Sequence, residues 1–132
     1  MNGETNLVAE AAERLFADLA TPAIARAAEE GTWPAALWQA AEDAGFPSAL
    51  EPDSGVLLAE ALAILRAAGR HPTPIPLAET MLARAIAARA GLALPTGPLT
   101  VGIAGEAGML RLDGQILVGG VDDVLGFRIE DD

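Results

Sequence analysis

The chain contains no cysteine, no tyrosine and no lysine, and it has a single histidine. The absence of cysteine excludes disulfides and thiolate metal sites. With one histidine, a cluster of His and Cys metal ligands is also impossible, whereas a site made of carboxylates alone remains open. Aromatic residues make up only 4% of the chain, although 52% of its residues are hydrophobic. The core must therefore be built mainly from Ala, Leu, Ile and Val.

Positive charge is also scarce: the chain has eight arginines and 19 acidic residues, which give a formal net charge of -11. Nothing in the chain would neutralise a run of phosphates, so we expect no nucleic-acid partner. The same balance argues against contact with an anionic membrane surface. No apolar run is long enough to span a bilayer, and the acidic N-terminus differs from a signal peptide. We therefore expect a cytoplasmic protein with no membrane partner.

The pattern of the chain changes near residues 94–98. Before this point nearly every segment predicts helix, and after it short β-type runs are interrupted by glycine. We therefore predict a mainly α fold with a small C-terminal β segment, of the α+β class. A helical domain would occupy residues 1–93, and a truncated β segment residues 94–132. The length of 132 residues suits one domain or part of a larger one.

Start and stop signals divide the first part into five predicted helices. Thr21 followed by Pro22 is an N-cap with proline at the first helical position, and Thr32-Trp33-Pro34 begins a helix in the same way. Asp53 or Ser54 is expected to cap the fourth helix. The predicted helices are residues 5–20, residues 22–30, a third from Pro34 to just before Gly45, a fourth that ends at Gly69, and residues 76–90.

Apolar residues at helical spacing predict which face of each helix packs against its neighbours. The predicted faces are Leu7, Ala11, Leu15, Phe16 and Leu19 in the first helix, Leu37, Trp38, Ala41 and Ala44 in the third, Leu58, Leu62 and Leu65 with Val56 and Ile64 flanking them in the fourth, and Leu77, Met81, Leu82 and Ile86 in the fifth.

The last part of the chain predicts short antiparallel strands. Asp113-Gly114 is a type I′ hairpin signal between two apolar runs. Four such short strands need a helical surface to lie on, because small sheets are marginal alone. The predicted strands are residues 99–104, 109–112, 115–118 and 124–129.

Few side chains suggest catalysis. Neither Ser48 nor Ser54 lies in a G-x-S-x-G motif, and their nearest candidate base is His71. His71 is more simply an exposed loop residue after a helix C-terminus, and Ser54 more simply an N-cap than the attachment serine of an acyl carrier protein. Glu79 is expected to complement a helix dipole rather than face a ligand.

Residues 70–75 cannot be helical, because Pro72, Pro74 and Pro76 lack backbone donors and hold their predecessors extended. The sequence therefore predicts two helices joined by a stiff corner, which we call the elbow (residues 70–76).

Four motifs carry a family resemblance. Residues 38–47 (WQAAEDAGFP) are similar to a helix followed by an A-G-hydrophobic corner, and Glu60-Ala61 with residues 65–70 (LRAAGR) is similar to an E-hydrophobic … L-G-R helix. The elbow and the start of the fifth helix resemble a P-x-P-L-x-E-T run, and residues 99–101 (LTV) resemble the opening strand of a β domain. Over about residues 7–104, the chain thus resembles the N-terminal helical domain and the start of the middle β domain of acyl-CoA dehydrogenases, in a divergent branch with bulky, sterol-type acyl substrates.

The resemblance implies a lipid-metabolism flavoprotein: FAD as cofactor, an acyl-CoA thioester as ligand and α,β-desaturation as the reaction. The family's fifth helix borders the acyl pocket, so the resemblance assigns Pro74, Ala78 and Leu82 to the pocket wall. No residue matches the family's catalytic glutamate or its flavin contacts, and the C-terminal bundle has no counterpart. The resemblance therefore implies no catalytic residue, no metal and unknown flavin contacts.

Three functional alternatives remain open at this point. The first is a fragment or short subunit of such a dehydrogenase, which completes its site with another dehydrogenase subunit or by self-association. The second is a non-catalytic helical scaffold or pseudoenzyme that binds a protein partner through an apolar face. The third is the carrier protein, which would bear its arm on Ser54.

Overall fold

The computed structural model describes residues 3–101, with side chains from Leu7 onward. This part of the chain is helical, as predicted, and contains no strand. Most of the predicted β segment, including the hairpin around Asp113-Gly114, lies outside the described residues. The helices are α1 (Gly3–Leu19), α2 (Pro22–Glu29), α3 (Ala35–Asp43), a 3-10 turn (Phe46–Ser48), α4 (Leu58–Gly69) and α5 (Leu77–Ala90).

Several helix ends follow from the local sequence as predicted. Thr21 caps α2, because its Oγ1 accepts a hydrogen bond from the Ile24 N–H at 3.3 Å and Pro22 occupies the first helical position. Gly45 and Gly91 end α3 and α5 with φ of 78° and 68°, a conformation that glycine adopts without a Cβ penalty.

The predicted cap of α4 is wrong by several residues. The helix begins at Leu58, and Ser54 closes the preceding turn by accepting from the Val56 N–H at 3.0 Å and donating to the Ala49 carbonyl at 2.9 Å. Glu60 satisfies a free N–H at the helix start, because its Oε1 accepts from Leu57 at 2.9 Å. The Ser54 hydroxyl is thus used in a turn and is not available for capping.

The hydrophobic core lies where α1 packs against α4 and α3, and where α5 packs against the 3-10 turn. The Phe16 and Phe46 rings meet at its centre with centroids 6.0 Å apart and an interplanar angle of 44°. Half of the buried core residues are alanines, which allow neighbouring helices to approach closely. The buried cluster is Ala12, Phe16, Ala20, Leu37, Ala41, Phe46, Ala49, Ala61, Ile64, Ala67, Leu77 and Met81.

The predicted packing face of α4 is turned toward the outside only in part, because Leu65 packs against the core, as does the flanking Val56. Leu58 and Leu62 are 66% and 53% exposed, and the buried side chains are those of Glu60, Ala61, Ile64 and Ala67. Helical spacing shows which residues share a face, but α4 has two apolar faces. The face with the smaller side chains packs against α1.

Other predicted inward residues also lie at the surface. Leu7 is 66% exposed and Leu82 is 46% exposed, while Ala11 and Ala44 are exposed too. Five of the predicted inward residues are buried, namely Phe16, Leu37, Trp38, Leu77 and Met81.

Within residues 3–101, no helix combines the length and apolar character that crossing a bilayer requires.

Candidate functional site

The three residues assigned to an acyl pocket wall lie around the elbow. Pro74 is half-buried in the elbow, Ala78 is exposed, and Leu82 is 46% exposed. Ala78 and Leu82 are one helical turn apart on the same face, which we call the α5 outer face. The opposite face of α5, with Leu77 and Met81, packs into the core. The α5 outer face is thus an accessible apolar surface.

The elbow is held by its own hydrogen bonds. The Thr73 Oγ1 lies 2.9 Å from the Ala68 carbonyl and 3.2 Å from the His71 carbonyl, and it can donate its proton to either. The His71 N–H donates to the Ala68 carbonyl at 3.3 Å. These bonds satisfy the last turn of α4 and fix the direction in which the chain enters α5.

A cluster of charged groups ties the elbow to α1, and we call it the elbow latch (Glu13, Arg70 and His71). The Glu13 Oε1 lies 2.6 Å from the His71 Nε2, and its Oε2 accepts from Arg70 at 2.9 Å. The hydrogen bond to His71, followed by that to Arg70, lowers the pKa of Glu13. The His71 side chain is only 21% exposed, so the expectation of a solvent-exposed loop histidine is wrong.

The elbow latch should stabilise the folded protein at neutral pH but not in acid. Folding lowers the pKa of Glu13, so the ionised carboxylate stabilises the folded state. This stabilisation is complete above the unfolded pKa of 4.5, and it is lost as the pH falls through the lower pKa of the folded state. We expect the wild-type protein to exceed the Glu13→Gln variant in stability at neutral pH, with a gap that closes in acid. Urea unfolding of both proteins across this pH range measures the gap, and a gap independent of pH would contradict the assignment.

A second cluster, the Arg84 clamp (Arg84, Glu42, Ser48 and Gly97), joins α5 to α3, the 3-10 turn and the segment after α5. Arg84 makes a two-pronged pair with Glu42, with Nη2 donating at 2.6 Å and Nη1 at 3.1 Å. Its nitrogens also donate to the Ser48 Oγ at 3.0 Å and the Gly97 carbonyl at 3.2 Å. The side chains of Arg84 and Glu42 are 15% and 25% exposed. The clamp thus neutralises a partly buried charge and fixes three segments.

The Arg84 clamp forms one wall of an open cavity of about 650 Å³. Trp38, Glu51 and residues 94–97 also line this cavity. Neither Ala78 nor Leu82 lines this cavity. A smaller cavity of about 400 Å³ lies between the end of α1, α2 and the start of α3, and its lining is mostly apolar, including Ile24, Trp33 and Leu37.

Thr80 anchors the segment that follows α5. Its Oγ1 is buried, accepts from the Leu99 N–H at 2.9 Å, and lies 2.7 Å from the Pro76 carbonyl and 3.0 Å from the Leu99 carbonyl. Since Gly97 contacts Arg84 and Leu99 contacts Thr80, this segment runs antiparallel to α5, toward the elbow. The hydroxyl of Thr80 thus sets the path of the chain as it leaves the helical part.

Replacing Thr80 with valine tests this anchor. Valine keeps the shape but leaves the partly buried Leu99 N–H without its acceptor, so we expect the free energy of unfolding to fall by about 1–2 kcal/mol. Amide hydrogen exchange should also accelerate at Leu99 but not in the core of α1. Thr96→Val, at an exposed position of the same segment, serves as the control. Unchanged exchange at Leu99 would show that Thr80 is not the anchor.

The remaining candidates do not form a reactive group. Ser48 accepts from Arg84, Ser54 closes a turn, and His71 contacts Glu13, so the structure does not bring a serine and the histidine together. Glu79 is exposed in the first turn of α5, as expected for a residue that complements the dipole. Among the described residues, no three His, Asp or Glu side chains come together as metal ligands.

Neither the elbow latch nor the Arg84 clamp was predicted from the sequence. Arg84 and Glu42 are 42 residues apart, and His71 and Glu13 are 58 apart. Neither pair has a local pattern, so only their meeting in the fold reveals them. Thr80 stood in a motif, but nothing in the sequence indicated its bond to Leu99.

Comparison with known proteins does not identify a family. No protein-family model matches the chain, and neither a curated protein nor a solved structure matches it. The resemblance to acyl-CoA dehydrogenases therefore stays a prediction, based on the residues quoted above.

Proposed function

We propose that this chain is a fragment or short subunit of a flavin-dependent acyl-CoA dehydrogenase. It contributes part of the wall of an acyl pocket and is not catalytically competent alone. Another dehydrogenase subunit, or a second copy, supplies the catalytic base and most of the flavin site in the cytoplasm. The substrate class is an acyl-CoA thioester, desaturated between its α- and β-carbons.

The observation that carries the proposal is the position of the α5 outer face beside the elbow. Ala78 and Leu82 are apolar and exposed there, and Pro74 precedes them in the half-buried elbow. Apolar side chains of small to moderate size suit the wall of a wide acyl cavity. The elbow latch and the hydrogen bonds of Thr73 hold this wall in a fixed position.

The larger cavity does not fit the diphosphate of FAD. The arginine at its wall is already paired with Glu42, and Glu51 adds a second carboxylate. Anionic phosphates need free donors or positive charge. The described residues therefore offer no flavin cradle at this cavity, which is why the proposal places most of the flavin contacts on another polypeptide.

Visible absorbance tests the proposal directly. The purified chain alone should be colourless, and the chain co-purified with a co-expressed dehydrogenase subunit that carries the missing bundle should show flavin bands. The subunit expressed without this chain is the control for flavin that it binds by itself. A colourless product with every such subunit would reject the proposal.

Enlarging Leu82 tests the pocket wall. In the flavin-bearing complex, Leu82→Trp should fill part of the cavity and weaken the binding of bulky acyl-CoA by about tenfold, comparable to the discrimination that methylene-sized changes give in apolar pockets. Leu92→Trp, at a site 40% exposed beyond the end of α5, is the matched control. Acyl-CoA titration of the flavin absorbance measures both. Equal affinities in the two variants would place the acyl chain elsewhere.

A non-catalytic scaffold that binds a protein partner is the alternative function. It is favoured by the exposed leucines of α4, since a helix face of this kind commonly marks an interaction surface. A colourless chain that forms a stable complex with another protein through α4 would support this alternative.

A further inference from the structure

The larger cavity carries one negative charge that its own residues do not balance. Among the described residues, three charged side chains line this cavity, those of Glu42, Glu51 and Arg84. Arg84 donates to Glu42 through both of its Nη atoms, so these two charges cancel. Glu51 is half-buried, and no arginine or histidine of the described part of the chain lies within ion-pair distance of it. The carboxylate of Glu51 is therefore the charge that is left over.

The polar groups of this cavity favour a hydrogen-bond donor as ligand. Both Nη atoms of Arg84 already donate within the Arg84 clamp. Gln39 also lines the cavity, and its Nε2 donates to Asp43 at 2.9 Å, so the oxygen of this amide is left as an acceptor. An ammonium group has three donors and no acceptor, so it complements the Glu51 carboxylate and the Gln39 oxygen. A carboxylate or phosphate ligand would instead be repelled by Glu51.

The remaining lining of the cavity suits an apolar body. Trp38, Leu92, Leu94 and Pro95 all line it. The cavity volume of about 650 Å³ falls within the range of about 300–1,000 Å³ that small-molecule sites occupy. The indole of Trp38 adds an aromatic surface, and aromatic rings attract organic cations. Size, apolar lining and one unbalanced carboxylate thus occur together in the same cavity.

We propose that the larger cavity binds a small organic monocation, an ammonium group attached to an apolar ring or chain. The ammonium group pairs with Glu51, and the apolar body packs against Trp38 and Leu92. The formal net charge of -11 also attracts cations to the whole protein, so the test must separate this general attraction from the specific pairing. The inference goes beyond the proposed function, because it concerns this cavity and not the α5 outer face.

Three ligands of similar shape and different charge test the proposal on the full chain. They are cyclohexylmethylamine, which is protonated at neutral pH, neutral cyclohexylmethanol and anionic cyclohexanecarboxylate. In calorimetric titrations we expect the amine to bind saturably and at least about tenfold more tightly than the alcohol, because its hydrogen bond to Glu51 joins two charged groups. The carboxylate should not bind. Equal affinities of amine and alcohol, or no saturable binding of the amine, would overturn the inference.

Two variants separate the Glu51 carboxylate from the charge of the whole chain. Glu51→Gln keeps the size of the side chain and removes its charge, so it should weaken amine binding about tenfold and leave alcohol binding unchanged. Asp53→Asn is the matched control, because Asp53 is an exposed carboxylate of the same loop that does not line the cavity. Both substitutions change the net charge equally and lie outside the helices. Equal losses of amine affinity would mean that only the general negative charge attracts the amine.

The two tryptophans of the chain show which cavity the amine occupies. Trp38 lines the larger cavity and Trp33 lines the smaller one. In the Trp33→Phe variant, where Trp38 is the only tryptophan, the amine should still change the fluorescence, with the affinity that calorimetry gives. A fluorescence change that is lost in this variant would place the amine in the smaller cavity and overturn the inference. None of these readouts depends on flavin, so a failure here and a failure of the proposed function are distinguishable.

Discussion

Replacing Phe16 with alanine is expected to lower the free energy of unfolding by about 3–5 kcal/mol. The side chain is fully buried in the last turn of α1, the helix that contacts both α3 and α4. The substitution removes a large apolar surface and leaves a cavity that neighbouring alanines cannot fill. It also removes the ring that packs 6.0 Å from Phe46 in a chain with few aromatics.

Chemical denaturation of the full chain measures this loss. The matched control is Leu7→Ala in the same helix, which should change stability by less than about 0.5 kcal/mol because Leu7 is 66% exposed. A domain of ordinary stability has about 5–15 kcal/mol in total, so the expected loss is a large share of the free energy of unfolding. Similar losses from both variants would contradict the position of Phe16 at the centre of the core.

Replacing Arg84 with methionine is expected to cost about 2–3 kcal/mol. Methionine preserves much of the apolar stem but leaves the Glu42 carboxylate, 25% exposed, without its partner. The Ser48 hydroxyl and the Gly97 carbonyl also lose their donor. This expected loss is smaller than that for breaking a fully buried ion pair, because water partly solvates the Arg84 and Glu42 side chains.

A double-mutant cycle with Glu42→Gln measures the coupling of the pair itself. The coupling should exceed about 1 kcal/mol, and the same cycle with Arg89→Met, at an exposed position of α5, should give almost none. Proteolysis within residues 92–101 should accelerate in the Arg84→Met variant, since Gly97 is then released. A coupling near zero would show that the Arg84 clamp does not hold α5 to α3.

Local signals placed the helices well. Thr21-Pro22 began α2, and glycines at 45 and 91 ended α3 and α5, because each acts through backbone geometry within a few residues. The cap of α4 was misplaced, since Ser54 has two uses for its hydroxyl and the sequence does not choose between them. Local chemistry thus predicted that the helices exist better than it predicted their first residues.

The orientation of the helices was predicted less well. Leu58 and Leu62 were expected to pack inward with Leu65, yet they are exposed, whereas Ala61 and Ala67 are buried beside Ile64. Both faces are apolar, and α1 selects the one that allows closer approach. The pocket-wall assignment of Ala78 and Leu82 came from a resemblance, and their exposure on α5 leaves that role as a proposal.

The sequence by itself determined a cysteine-free, acidic chain whose helical part is divided by proline and glycine. These features depend on composition and on backbone preferences that act over a few residues. Only the tertiary structure decided which helix faces are buried and that Glu42 pairs with Arg84 and Glu13 with His71. Those outcomes depend on contacts between residues 42 and 58 positions apart, and such contacts exist only after the helices have packed.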